Sequence, residues 1–233
     1  MIRFCTFGNT PHFQKSIDLI LAEAKQSYYF HSVDVFSQAD LPPSYIEFAA
    51  RAPRGFGYWT WKPFVIRQMM NRYPDGDVIV YADAGCSICT DPTARKQFKQ
   101  WIQDVREHPT HRLAFQMDFP EETWTKGELF GFMDCDTDVF RKSGQHSASI
   151  QVYVNTPENR TFMDEYVRIT TADGGHYVSD EPSRIANAPS FRDHRHDQSI
   201  ASLLFKKHGA KQYSDHWMKP GFPILTARRK FRF

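Results

Sequence analysis

The sequence predicts an α/β fold: a mostly parallel central sheet flanked by helices, Rossmann-like, in a single domain spanning residues 1–233. Three observations predict it. Over the first half, apolar strand-like runs alternate with stretches whose apolar residues recur at helical spacing. One of these runs, Asp77-Val78-Ile79-Val80-Tyr81-Ala82, ends on Asp83 and is closed by Gly85, placing a carboxylate at the sheet edge where open α/β folds bind ligands. A third segment, Arg54 to Pro63, carries two glycines, two indoles and two cations toward the same edge.

Taken in order, Ile2 to Phe7 reads as a buried strand, and Pro11 to Gln26 as a helix with Ile17, Ile20, Leu21 and Ala24 on one face. Ser32 to Phe36 is the second strand. Pro42 and Pro43 open a short helix, and Pro63 fits the first turn of a helix running to Tyr73. The Asp77 to Ala82 strand follows, and Asp91-Pro92 then starts a helix to Glu107 that buries Phe98, Trp101, Ile102 and Val105. Leu113 to Met117 closes this half as a strand. In the second half, Trp124 to Met133 is an unassigned segment, Ile150 to Val154 a strand, and Pro157 to Ile169 a helix. Thr171 to Asp193 is rich in glycine, proline, serine and charge, so it reads as a long loop of the kind that serves as a lid. Asp197 to Lys207 is a helix and Ala210 to Tyr213 a short strand.

Composition excludes several classes. Hydrophobic residues at 41% and aromatics at 15% argue for a folded chain, and a net charge of +2 is too small to imply nucleic-acid binding. Positive charge does gather at Arg228, Arg229, Lys230 and Arg232, either as a solvated tail or as a peripheral contact with an anionic membrane surface. No apolar run approaches the roughly 18 residues of a membrane helix, and Met1 to Phe4 lacks the features of a signal peptide, so a cytoplasmic location is expected. Of Cys5, Cys86, Cys89 and Cys135, only Cys86 and Cys89 have metal-like spacing, and no second pair completes a zinc site; reduced, packed thiols are expected.

Four clusters carry candidate chemistry. Asp83 either caps the turn after its strand or serves as a ligand for a hard divalent cation, which takes few protein carboxylates and completes its shell with water and phosphate. Tyr58 to Lys62 is either core packing or, with Arg54 and a helix amino terminus, an approach for phosphate. Arg192 to Ser199 places His194, Arg195 and His196 around Asp197; that carboxylate is either a helix cap or part of a site, and the two histidines are a weaker zinc alternative. Tyr213 to Pro220 brings His216 and Lys219 into a late coil able to fold over a pyrophosphate.

Together these stretches resemble the GT-A nucleotide-sugar glycosyltransferases, in particular a bacterial and viral group, through Gly57–Pro63 (GYWxWKP), Asp75–Gly85 (DGDxxxYxDAG), Trp124–Phe130 (WTKxxLF) and His194–Ile200 (HRHDQSI). Their order is also similar to that of retaining enzymes related to glycogenin and to lipopolysaccharide galactosyltransferases. The resemblance implies a transferase moving a hexose or deoxyhexose from a nucleoside diphosphate sugar, a UDP-sugar foremost, to a glycan or glycolipid hydroxyl with retention; inversion with Asp197 as general base is the other stereochemical outcome. Residues 1–117 would form the nucleotide half and 118–233 the sugar and acceptor half. It further implies that Asp197 and Gln198 are catalytic and that Thr6, Phe7, Gly8, Arg54, Trp59, Lys62, Asp83, Ala84 and Lys219 bind the donor. Trp124, Lys126, Gln145 and His196 would bind sugar or acceptor, and Asp83 and His216 would hold Mn2+ or Mg2+. One departure stands out: Gly85 occupies the position of the second carboxylate of DxD. Two other classes remain open on the residues alone, a phosphoester hydrolase using the His-rich cluster and a non-catalytic module binding sugar nucleotides or glycans.

Overall fold

The computed structural model describes residues 1–9, 13–52, 54–214 and 221–226. The chain begins with β1 (Ile2–Phe7), α1 (Gln14–Ser27), β2 (Ser32–Phe36), α2 (Pro43–Arg51), α3 (Gly55–Tyr58), α4 (Trp61–Arg72), β3 (Val78–Ala82), β4 (Ser87–Ile88) and α5 (Pro92–Glu107). It continues through β5 (Arg112–Pro120), α6 (Glu121–Trp124), α7 (Gly127–Phe132), α8 (Asp138–Lys142), β6 (Gly144–His146), β7 (Ile150–Val154), α9 (Pro157–Thr171), α10 (His196–His208), β8 (Lys211–Ser214) and β9 (Ile224–Leu225).

The main sheet runs β2-β1-β3-β7-β5-β6, with β8 also on β5, while β4 and β9 form a separate ribbon. Strands β2 and β3 are parallel to β1, and β8 is parallel to β5; β7 is antiparallel to β3 and β5, and β6 to β5. Strands β1, β2, β3, β5 and β8 therefore share one direction, giving the mixed, mostly parallel sheet that was expected. Their carboxyl ends share one edge, and Asp83 lies on it.

Strand β3 is buried at every position, because helices cover both faces of the sheet. Its side chains alternate: Ile79 and Tyr81 join a core with Val65, Ile66 and Met69 of α4, Phe162 and Tyr166 of α9, and Leu203 and Leu204 of α10. Val78, Val80 and Ala82 join the opposite core with Ile20 of α1 and Phe98, Trp101 and Val105 of α5. Each large side chain buried in this way contributes about 1.5–3 kcal/mol. Helix α5 begins where its cap does, Asp91 accepting from the amides of Thr93 and Ala94.

Three local expectations change. The segment read as a loop over Thr171 to Asp193 is partly regular: α9 extends to Thr171, and a 3₁₀ turn covers Ala172–Val178, with Asp173, Gly174 and Gly175 at positive φ. The Trp124 to Met133 stretch resolves into the end of α6 and all of α7. Strand β6 and helix α8 were not anticipated, since elements of three and five residues are too short to display a period.

Candidate active site

The turn after β3 is closed by backbone alone, with the Cys86 amide donating to the Asp83 carbonyl at 2.9 Å. The Asp83 carboxylate is therefore not used as a turn cap. Its Oδ1 accepts from the Tyr81 hydroxyl at 2.8 Å and lies 3.7 Å from Lys62 Nζ, and its side chain is 32% exposed. Trp61 Nε1 in turn donates to the Tyr81 hydroxyl at 3.4 Å.

Lys62 enters in the first turn of α4 and is buried. Its ammonium donates to Asp197 Oδ2 at 2.7 Å, so it lies between a buried carboxylate and the exposed one. Asp197 is inside the first turn of α10, not at its cap. Arg195 occupies the N-cap without a side-chain capping bond, and the Tyr166 hydroxyl donates to the Asp197 carbonyl at 3.0 Å. The helix-cap reading of Asp197 is thereby replaced by a buried ion pair. Burial pulls the Lys62 ammonium toward neutrality, but Asp197 and Asp83 outweigh it, and its pKa stands above the ordinary lysine value. For Asp197, burial raises the carboxyl against the pull of Lys62, from the ordinary 3.8 to about 6.

A carboxyl whose pKa is higher in the folded than in the unfolded chain binds protons more tightly when folded. Its own contribution to stability is thus present below about pH 4 and is lost as the pH rises through about 6. Protonation also removes the charge that holds Lys62. Turnover should fall on the acid side of about pH 6, and a pH–rate profile of the wild type against Asp197→Asn checks this. An acid limb left unchanged in the variant would assign that limb to another group.

The four residues of α3 and the following Trp59 form a left-handed turn rather than a right-handed helix. Gly55, Phe56, Gly57, Tyr58 and Trp59 have φ of 56°, 49°, 79°, 54° and 60°. Left-handed backbone costs a non-glycine residue roughly 1–2 kcal/mol, so the surroundings must hold it. Tyr45 and Thr60 hydroxyls donate to the carbonyls of Phe56 and Gly57 at 2.8 and 2.7 Å. At Gly55 a Cβ would stand 2.5 Å from the Trp59 ring, and at Gly57 2.8 Å from the Tyr45 hydroxyl. The two glycines thus allow the turn to close on the Trp59 ring and to pack against Tyr45 of α2. Arg54, just before it, donates to Asp180 at 2.6 Å and lies 3.6 Å from Asp193. His196, itself at φ 51°, stacks on the Tyr58 ring and packs at a tilt against the Trp59 ring.

The other expected site residues divide sharply. Ala84 lies beside Asp83 on the same edge, and Thr6 is fully buried near the end of β1, its Oγ1 without a hydrogen-bond partner among the described residues. Phe7 stacks on Trp61 at 4.6 Å, a packing role, and Gly8 is required by α1, since a Cβ there would stand 2.1 Å from Ile17 Cδ1. Lys126 is buried, and its ammonium donates to the carbonyls of His176 and Glu181 at 2.7 and 3.2 Å. Gln145 is likewise internal, fully buried and donating to Glu121 at 2.9 Å. Lys126 thus holds the 176–181 segment, and Gln145 supports Gln198, which donates to its Oε1 at 2.7 Å. Trp124 is partly exposed beneath the Arg195 guanidinium, 4.0 Å from its ring centroid. His194 uses both ring nitrogens, accepting from the Lys126 amide and facing the Tyr177 carbonyl at 2.9 Å. Both bonds hold its ring in place between the Lys126 amide and the Tyr177 carbonyl. His216 and Lys219 lie outside the described residues, as does the basic tail. None of the four cysteines is in a disulfide, and among the described residues no helix is long and apolar enough to cross a membrane.

Sequence reasoning missed Tyr81, although its position two residues before Asp83 in a strand places both on one face. It also missed Tyr166, which only the packing of α9 against α10 brings to Asp197.

No protein-family model matches the chain, and no curated protein matches it. Among solved structures, the chain is similar to the glycosyltransferase GlyE of Streptococcus pneumoniae, with a TM-score of 0.50 and 11% identity over 93% of this chain and 46% of that one. The chain has a glycosyltransferase fold. It spans about half the length of GlyE. Weaker similarities extend to a glycosyltransferase involved in glycosylation of the major capsid of PBCV-1, with a TM-score of 0.49 and 8% identity over 93% of this chain and 83% of that one. Mouse xyloside xylosyltransferase 1 follows, with a TM-score of 0.43 and 10% identity over 91% and 84%. At such identities the likeness concerns the fold.

Proposed function

We propose that this chain is a glycosyltransferase that moves a sugar from a nucleoside diphosphate sugar, a UDP-sugar foremost, to a glycan or glycolipid hydroxyl. One observation carries the reading: on a glycosyltransferase fold, the partly exposed Asp83 carboxylate stands at the carboxyl edge of the central strand with the Lys62–Asp197 pair behind it. Among the described residues both side-chain contacts of Asp83 fall on Oδ1, which leaves Oδ2 for a ligand. A Mn2+ or Mg2+ ion that takes one protein carboxylate and completes its shell with donor phosphates and water fits this arrangement. Asp83 would hold the cation, with His216 as its expected partner from outside the described residues. Bound there, the ion supplies Lewis-acid stabilisation of the diphosphate leaving group.

The protein's own contribution is electrostatic and preorganised. Lys62 keeps a fixed positive charge under Asp83, and Tyr81 aims the carboxylate. Asp197 acts through Lys62 as a positioning residue, and Gln198 is steadied by Gln145. Lys219 is assigned to the pyrophosphate, retention is the proposed stereochemistry, and a single domain working in the cytoplasm is the proposed setting.

A thermal-shift screen of nucleotide sugars with Mn2+ or with excess chelator tests this. A matching donor at 100 times its dissociation constant should stabilise the protein by about 2.7 kcal/mol, and less in chelator. Equal shifts with and without the ion would remove the metal. Binding without transfer would return the chain to a non-catalytic module, and no shift with any donor would sink the reading.

A further inference from the structure

Glu121, at the start of α6, is fully buried, and both of its carboxylate oxygens are in use. Oε1 accepts from the Thr125 hydroxyl at 2.8 Å and from Gln145 Nε2 at 2.9 Å; Oε2 accepts from the Ser202 hydroxyl at 2.6 Å and from the Lys206 ammonium at 2.5 Å. A carboxylate paired with an ammonium only accepts, and this sets the direction of every bond around it. The Gln145 amino group has two further neighbours, Thr125 Oγ1 at 3.2 Å and Ser199 Oγ at 3.3 Å. Thr125 has already given its proton to Glu121, and Ser199 has given its own to the Trp124 carbonyl at 2.8 Å. All three oxygens around Gln145 Nε2 therefore accept, and turning the amide over would set its Oε1 against them.

Gln145 Oε1 consequently points the other way, where it accepts from Gln198 Nε2 at 2.7 Å. That bond fixes the second amide. Gln198 Oε1 is left toward the 147–149 stretch: the Ala148 amide reaches it at 3.4 Å, and the next carbonyl, that of Ser149, accepts from the Asp83 amide at 2.9 Å. We propose that Glu121 is a positioning residue for the candidate active site, its charge acting through Gln145 to turn the carbonyl oxygen of Gln198, rather than its amino group, toward the edge that carries Asp83. Glu121 itself touches no ligand. The consequence for catalysis rests on the glycosyltransferase reading, whereas the direction of the hydrogen-bond chain does not.

Reversing that direction tests the proposal. Gln198→Glu sets an oxygen against Gln145 Oε1, so it should lower the melting temperature of the otherwise wild-type chain by roughly 2–4 °C, the shift of one lost hydrogen bond at this size. In the background Glu121→Gln, Lys206→Met, which removes the carboxylate together with its ammonium, the amide at 121 can donate to Gln145 Oε1 and Gln145 can turn its amino group to a carboxylate at 198. There the same Gln198→Glu should raise the melting temperature by a similar amount. Equal losses in both backgrounds would overturn the proposal. Side-chain amide exchange in the wild type, read by 15N NMR with Gln198→Glu identifying the resonance, covers a background variant that does not fold. The Gln198 amide protons should exchange at least about tenfold more slowly than those of free glutamine; equal rates would overturn the proposal by themselves. With the nucleotide sugar found in the donor screen, Glu121→Gln, Lys206→Met should lower kcat about tenfold at a nearly unchanged donor KM. An unchanged kcat would remove the positioning role. Melting temperatures that move in opposite directions in a protein that transfers no sugar would keep the control of Gln198 by Glu121 and defeat the transferase reading.

Discussion

Replacing Lys62 by methionine is expected to cost about 3–5 kcal/mol of folding stability, because it leaves the Asp197 carboxylate buried without its partner. In a chain of this size that corresponds to a fall in Tm of roughly 6–20 °C. The pair itself is a different matter. Taking two charges out of water offsets most of their attraction, so the double variant Lys62→Met, Asp197→Leu should regain much of the loss while remaining inactive. Denaturant unfolding of the two single variants and the double closes the cycle. A Lys62→Met protein within about 1 kcal/mol of wild type would mean that Asp197 is solvated, contrary to its 3% exposure. The expectation also separates Lys62 from a simple phosphate-binding lysine, whose removal would weaken the donor and spare the fold.

Asp83→Asn should behave in the opposite way. The side chain is 32% exposed, and an amide oxygen still accepts from Tyr81, so the melting temperature should stay close to wild type. The lost charge is the one that faces the proposed cation and diphosphate. Removing a preorganised electrostatic group of that kind typically lowers turnover by about 10²–10³-fold. Steady-state kinetics with the donor from the screen, alongside calorimetry of the bare nucleoside diphosphate with Mn2+, would read both effects. Full turnover in Asp83→Asn would leave the carboxylate as a mere neighbour of Tyr81 and move the reaction elsewhere on the sheet edge. The two variants together form a contrast that one site model must satisfy, stability lost at the inner charge and catalysis lost at the outer one.

What the sequence determined by itself was the frame. The apolar run before Asp83, the helical spacing of Phe98, Trp101, Ile102 and Val105, and the Asp91-Pro92 start are local signals, and local signals survive into the fold because burial of one face and capping of one end act within a few residues. They also located Asp83 at the edge and placed Lys62 and Asp197 among the candidates. What each of those groups touches was decided only in three dimensions. Lys62 and Asp197 are separated by 135 residues and meet because α4 and α10 pack on the same core. Their pairing joins two residues from separate sequence clusters in one buried bridge. Lys126 and Gln145, expected from the resemblance to meet sugar or acceptor, are polar residues that local sequence would leave exposed, and their burial among backbone carbonyls and against Glu121 is decided by the fold. The antiparallel insertion of β7 between β3 and β5 was equally invisible, since strand direction is set by partners rather than by a strand's own residues. Periodicity records which face of an element is buried, whereas the identity of the neighbour that buries it depends on contacts distant in the chain.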